Sequence, residues 1–116
     1  MEIPTIPESE YRLCLILWER EPIRSTELVH LCMERLGWKE TTAYTILKRL
    51  EERGVLKVEN KTVTSLFTKD EIQSAELDAF MDKTFEGSLP AFIAAFGRRQ
   101  ALSEKEIEEI KRIIEG

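Results

Sequence analysis

The chain has 116 residues, of which 42% are hydrophobic and 34% charged, and its formal net charge is -5. This length suits one compact domain with a small appendage, or two very small units, and the composition is that of a soluble globular protein. No apolar run reaches the roughly 20 residues that a transmembrane helix needs, and the first residues lack the basic and apolar regions of a secretory signal. We therefore expect a cytoplasmic protein with no membrane partner.

The acidic residues are unevenly distributed along the chain. Residues 1–69 contain 11 basic and 11 acidic side chains, whereas residues 70–116 contain 6 basic and 11 acidic ones. A nucleic-acid-binding surface needs a local basic face rather than a basic average. The first part of the chain can therefore still provide such a surface.

Cys14, Cys32 and the single histidine, His30, do not have the close spacing of a metal site, since zinc usually takes three or four ligands. We expect two reduced, buried thiols and no metal ion or other cofactor. The sequence also contains no glycine-rich phosphate loop and no nucleophile motif. An enzyme is therefore not expected, and no catalytic residue is assigned.

Three helices are predicted in the first part of the chain, over Pro7–Arg20, about Thr26–Leu36 and about Glu40–Arg53. Their apolar residues recur at the i, i+3, i+4, i+7 spacing of one helical face. Pro22, Gly37 and Gly54 follow the three helices and end them. Ser25 is predicted as the N-cap of the second helix.

Two short β-prone segments follow, Val55–Glu59 and Thr62–Thr68. Asn60-Lys61 between them favours a tight turn, because Asn tolerates positive φ. Three helices followed by a hairpin predict a winged helix-turn-helix domain over residues 1–69.

The outward face of the third helix carries the residue types that read DNA. Its inward face holds Ala43, Ile46, Leu47 and Leu50. Hydroxyl side chains contact base edges, cations reach phosphates, and the N-terminal part of a recognition helix meets the bases. We therefore assign base reading to Thr41, Thr42, Thr45 and Tyr44, and phosphate contact to Lys39, Lys48 and Arg49.

Two alternatives to this assignment remain open at this point. The third helix could be an ordinary solvated surface on which Arg49 pairs with a nearby Glu, or the domain could bind a protein instead of DNA. In the hairpin, Lys61 is assigned to the flanking DNA backbone. Lys57 is equally well explained as a plain surface lysine, and Glu59 would weaken attraction to phosphate.

Residues 70–116 are predicted to form helices over Asp70–Phe85, over Leu89–Arg99 and after a capping box at Ser103–Glu106. A segment of this length cannot bury its apolar residues alone. It must pack on the winged helix or on a second copy of the chain, and we expect the second copy. The fold class is thus mainly α with a small β-hairpin, and residues 70–116 form a helical dimerisation domain. The residues assigned to the dimer interface are Leu77, Phe80, Met81, Leu89, Phe92, Phe96, Ile107, Ile110 and Ile114.

The sequence resembles the penicillinase-repressor family of bacterial winged-helix repressors, the BlaI/MecI/CopY type. Three stretches carry the resemblance: Glu8–Tyr11 leading to Ile16–Trp18, Lys39–Leu56, and Gly87 through Ala94-Ala95-Phe96 to Ile110. The resemblance implies a homodimer that binds double-stranded DNA at an inverted-repeat operator and blocks transcription.

In the β-lactam-responsive members, a membrane sensor with a zinc peptidase domain triggers cleavage of the repressor. The resemblance implies a similar sensor metallopeptidase as partner and a scissile bond between Ala95 and Phe96. Ala95 stands where the best-known members have Asn, and Phe96 also fits a core position at its helical spacing. The chain ends without the cysteine cluster of the copper-responsive branch, so copper sensing is not expected.

Overall fold

The computed structural model describes residues 2–99 and 101–116. In chain order its elements are α1 (Glu8–Arg20), β1 (Ile23–Arg24), α2 (Ser25–Leu36), α3 (Glu40–Glu52), β2 (Leu56–Glu59), β3 (Thr62–Ser65), α4 (Lys69–Phe85), α5 (Leu89–Arg99) and α6 (Glu104–Glu115). The mainly helical class and the order of a winged helix-turn-helix are confirmed. None of the described helices is both long and apolar enough to span a membrane.

The sheet contains a strand that the sequence did not predict. Its order is β1-β3-β2, all antiparallel, with Ile23 opposite Val63 and Val63 opposite Val58. β1 has two residues, too few to show the period-2 alternation on which strand prediction depends. The tight turn is confirmed, since Asn60 and Lys61 have φ of 50° and 63°.

Several helix ends follow from local chemistry. Gly37 ends α2 with φ of 69°, the left-handed conformation expected there. The prediction that Ser25 is an N-cap is wrong: Arg24 is the N-cap, and it makes no side-chain capping bond. Arg24 stays extended because it pairs with Thr62 of β3, so the helix starts directly at Ser25. The capping box at Ser103 and Glu106 is confirmed.

The hydrophobic core lies between α1, α2, α3, the sheet and the first turns of α4. The largest fully buried aliphatic side chains are Leu13, Leu17, Leu28, Leu50, Leu56, Ile72, Val55 and Val63. The inward face predicted for α3 is buried as a whole. Burial of a Leu or Ile side chain contributes about 1.5–3 kcal/mol, so this core holds α3 in a fixed rotation about its axis.

The chain divides into two compact units, and the boundary between them in the sequence falls between Glu76 and Leu77. The sequence placed this boundary at 69/70, whereas the structure groups the start of α4 with the winged helix, where Ile72 is fully buried. Within the second unit, no described side chain is fully buried. Phe80, Phe85 and Phe92 pack edge to face, with the ring centroids of Phe85 and Phe92 5.6 Å apart.

Candidate nucleic-acid interface

The outward face of α3 is open to solvent along its length. Besides Glu40, Glu51 and Glu52, the exposed residues are Lys39, Thr41, Thr42, Tyr44, Thr45, Lys48 and Arg49. These are all the residues that the sequence assigned to α3 and its N-cap. The structure thus brings them together on one surface, opposite the buried aliphatic face.

The cations of this surface have no acidic partner among the residues that the structure describes. The ion pairs found there join Arg12 to Glu8, Arg35 to Glu19, Arg53 to Glu10 and Lys57 to Glu59. Lys39, Lys48 and Arg49 belong to none of them. The alternative in which Arg49 pairs with a nearby Glu is therefore not what the structure shows, and these charges remain available to an anionic ligand.

The hydroxyl groups on α3 are not equivalent. Thr45 Oγ1 donates to the main-chain oxygen of Thr41 at 2.8 Å, so its proton is used inside the helix. Thr45 therefore offers an outside group only an acceptor oxygen and a methyl group. These suit a base amino group or a thymine methyl in the major groove.

Of the two lysines in the hairpin, Lys57 has an ion-pair partner and Lys61 has none among residues 2–99 and 101–116. Lys61 lies exposed in the turn, and its main-chain oxygen accepts the backbone N–H of Ser25 at 2.9 Å. Lys57 Nζ lies 3.6 Å from Glu59 Oε1. The structure therefore favours Lys61 over Lys57 as a ligand for phosphate.

A groove of about 400 Å³ lies between α3 and β2. Its lining residues are Ser25, Tyr44, Leu47, Lys48, Glu51 and Val58. Ser25 reaches this surface because β1 brings the start of α2 next to β3. Sequence reasoning missed Ser25 as a surface neighbour of α3, and the only signal for β1 was one β-branched residue, Ile23.

Cys14 and Cys32 are free, buried thiols, as predicted. Among residues 2–99 and 101–116, no three His, Cys, Asp or Glu side chains are placed to hold a metal ion. The exposed side chains of α3 are hydroxyls, a tyrosine and cations, together with the carboxylates of Glu40, Glu51 and Glu52.

The fold and this surface define a winged helix-turn-helix protein of the DNA-binding class. A sequence profile of the family described as "Penicillinase repressor" matches residues 6–116, and the chain belongs to that family. It is 24% identical to the Bacillus licheniformis protein named "Penicillinase repressor", over 98% of this chain and 92% of that protein. It is also 24% identical to the "Methicillin resistance regulatory protein MecI" of Staphylococcus aureus strain N315, over 94% of this chain and 92% of that protein.

A solved structure shares the fold of the first part of the chain. It is described as "Solution structure of the DNA binding domain of the repressor BlaI" and superposes with a TM-score of 0.52 at 23% identity. The match covers 60% of this chain and 90% of that one. The winged-helix architecture is thereby confirmed.

Proposed function

We propose that this protein is a homodimeric transcriptional repressor that binds an inverted-repeat operator in double-stranded DNA. The observation that carries the proposal is the division of α3 into two faces. Its aliphatic side is buried in the core, and its hydroxyls point to solvent beside cations that have no ion-pair partner in the described part of the chain. Such a helix can enter the major groove without uncovering the core.

Each residue has a distinct role in this proposal. Thr41, Thr42 and Thr45 read bases, and Tyr44 packs beside them. Lys39, Lys48 and Arg49 bind phosphates on either side of the groove, and Lys61 binds the flanking backbone. Phosphate contacts fix the register of the helix, and base contacts supply sequence preference.

A salt titration with one matched pair of variants tests the proposal. The probe is a fluorescent duplex selected from a random library by its binding to the full chain. Affinity should fall steeply between 50 and 200 mM salt, on the order of 10³-fold if about six phosphates are contacted. Thr45→Glu should abolish binding because it places a carboxylate in the groove, whereas Ser9→Glu, on an exposed position of α1, should not.

The thermal unfolding midpoint of Thr45→Glu should stay close to that of the unchanged protein, since Thr45 is exposed. A salt-independent affinity, or an unfolded Thr45→Glu variant, would contradict the proposal. Flat salt dependence would instead favour a winged helix that binds a protein.

The second unit supports the dimer. Leu77, Leu89 and Ile114 are 56%, 57% and 72% exposed, which is high for large aliphatic side chains. The other proposed interface residues are exposed or half-buried: Phe80, Met81, Phe92, Phe96, Ile107 and Ile110. A second copy that packs against these side chains would remove them from water and link two copies of α3 for the two halves of a palindrome.

Inactivation by cleavage between Ala95 and Phe96 is the regulatory part of the proposal, with a sensor metallopeptidase as partner. The exposed ring of Phe96 favours access to this bond. Both residues lie within α5, so a peptidase must unwind the helix locally to bind the chain in extended form. Intact-mass analysis of the protein recovered from its host, with and without a β-lactam, tests this. Fragments that end at Ala95 and begin at Phe96 would support cleavage, and an intact chain under both conditions would exclude it.

A further inference from the structure

Ser25 has three cationic residues as neighbours: one through the chain, one through a main-chain hydrogen bond and one through a shared groove. Its backbone N–H bonds to the main-chain oxygen of Lys61, and its side chain lines the same groove as Lys48. Arg24 precedes it directly. The sequence assigned Lys48 and Lys61 to DNA contact and gave no role to Arg24.

The position of Arg24 is fixed by main-chain pairing. Arg24 lies opposite Thr62, the residue that follows Lys61, in the antiparallel ladder of β1 and β3. Residues so paired have Cα atoms about 5 Å apart. The Arg24 side chain is exposed and belongs to none of the ion pairs or side-chain hydrogen bonds in the described part of the chain.

The acidic residues nearby do not cancel this charge. Glu59 lies across the sheet, on the far side of Thr62, and its carboxylate is paired with Lys57. Glu51 lines the groove beside Lys48, and Glu27 lies in the first turn of α2. Arg24, Lys48 and Lys61 together with Glu27 and Glu51 therefore carry a formal charge of +1.

We propose that Arg24 binds the phosphate backbone of duplex DNA, and that it does so as part of one basic cluster with Lys48 and Lys61. This inference rests on the proposed DNA-binding function and adds a contact from β1, outside the recognition helix and the hairpin. Because a guanidinium binds phosphate oxygens whatever the base, the contact raises affinity for every duplex equally.

The experiment compares Arg24→Gln with Arg24→Lys and with Arg12→Gln in the full-length protein. Arg12→Gln is the matched control because it removes the same charge from an exposed position of α1. The probes are the selected duplex and a random duplex of equal length, and dissociation constants are measured across a range of salt concentrations. Loss of one phosphate contact per protomer in a dimer should lower the slope of log K against log salt by about 2 and weaken binding on the order of tenfold near 0.1 M salt.

The expected result is an equal loss for both duplexes in Arg24→Gln, recovery of the slope in Arg24→Lys, and little change in Arg12→Gln. Equal effects of Arg24→Gln and Arg12→Gln would overturn the proposal, since they would show only the influence of net charge. A loss confined to the selected duplex would also overturn it, because Arg24 would then read bases. If Thr45→Glu abolishes binding while Arg24→Gln leaves the slope unchanged, this inference fails and the proposed function stands.

Discussion

The carboxylate of Glu21 takes the place of a main-chain partner for Ser65. Its Oε1 accepts the backbone N–H of Ser65 at 2.8 Å and the Ser65 hydroxyl at 2.9 Å. Continuing the register of β1 and β3 by two residues places Glu21 opposite Ser65, beyond the point where β1 ends. The Glu21 side chain thus accepts the hydrogen bond of the Ser65 N–H, because β1 ends before it could pair with Ser65.

Replacing Glu21 should therefore weaken the fold. Glu21→Ala leaves the Ser65 N–H without its partner, and we expect the free energy of unfolding to fall by about 1–3 kcal/mol. Urea denaturation measures this. Glu19→Ala is the control, because Glu19 is exposed and its pair with Arg35 contributes at most about 1 kcal/mol. Equal stabilities of the two variants would contradict the role given to Glu21.

The pair formed by Glu10 and Arg53 predicts a non-additive effect. Glu10 is only 3% exposed; its Oε2 accepts from Arg53 at 3.3 Å, and its Oε1 is buried without a partner among the described residues. Arg53→Met should destabilise the protein by about 2 kcal/mol, because it leaves a buried carboxylate unpaired.

Adding Glu10→Met to Arg53→Met should restore much of that stability, since an apolar side chain needs no partner. The four proteins of this cycle are compared by urea denaturation. A double variant less stable than Arg53→Met alone would show that Glu10 stabilises the fold independently of Arg53.

The buried thiols predict a loss of stability at alkaline pH. Burial raises the pKa of Cys14 to about 12, with smaller contributions from the charges of Glu10 and Cys32, and burial raises the pKa of Cys32 to about 11. In the unfolded chain both thiols titrate near the ordinary value of 9.0. Above that pH the unfolded state loses protons that the folded state keeps, so the free energy of unfolding should fall as the pH rises from about 9.

Urea denaturation at pH 8, 9.5 and 10.5 measures this decline. In a variant with Cys14→Ala and Cys32→Ala the decline should be shallower, because two titrating groups are absent. An identical pH dependence in both proteins would show that the thiols do not contribute. Native protein should also react slowly with a thiol reagent at pH 8, and urea should make the reaction fast.

The proposed dimer predicts different results for two charge substitutions on α6. Ile114→Asp places a carboxylate on the apolar face shared with Ile107 and Ile110, and it should raise the dimer dissociation constant at least about tenfold, a loss of roughly 1.4 kcal/mol. Lys105→Glu, on the opposite face of the same helix, should leave association unchanged. Sedimentation equilibrium measures both, and a protein that is monomeric at all concentrations would exclude the proposed dimer.

The sequence predicted those parts of the fold in which one residue type repeats at a fixed spacing. The buried face of α3 follows directly from Ala43, Ile46, Leu47 and Leu50, and the exposed face follows by geometry. β1 could not be predicted, because two residues become a strand only when β3 lies beside them. The neighbourhood of Arg24, Ser25 and Lys61 depends on that pairing, so local pattern could not reveal it.

The domain boundary predicted at 69/70 differs from the boundary of the compact units at 76/77 for a similar reason. After Lys69 the composition becomes acidic, and this change coincides with the start of a helix. Composition alone does not distinguish the start of a helix from the start of a domain. Only the contacts of Ile72 show that the first turns of α4 belong with the preceding residues.

The burial of Ile72 also limits how far the chain can be shortened without loss of stability. A fragment that stopped at Lys69 would lose a fully buried side chain and open a hole in the core, at a cost comparable to the 2–5 kcal/mol of an Ile→Ala substitution. Such a fragment would be less stable for a reason unrelated to oligomerisation. A winged-helix fragment that keeps the whole first unit therefore ends at or beyond Glu76.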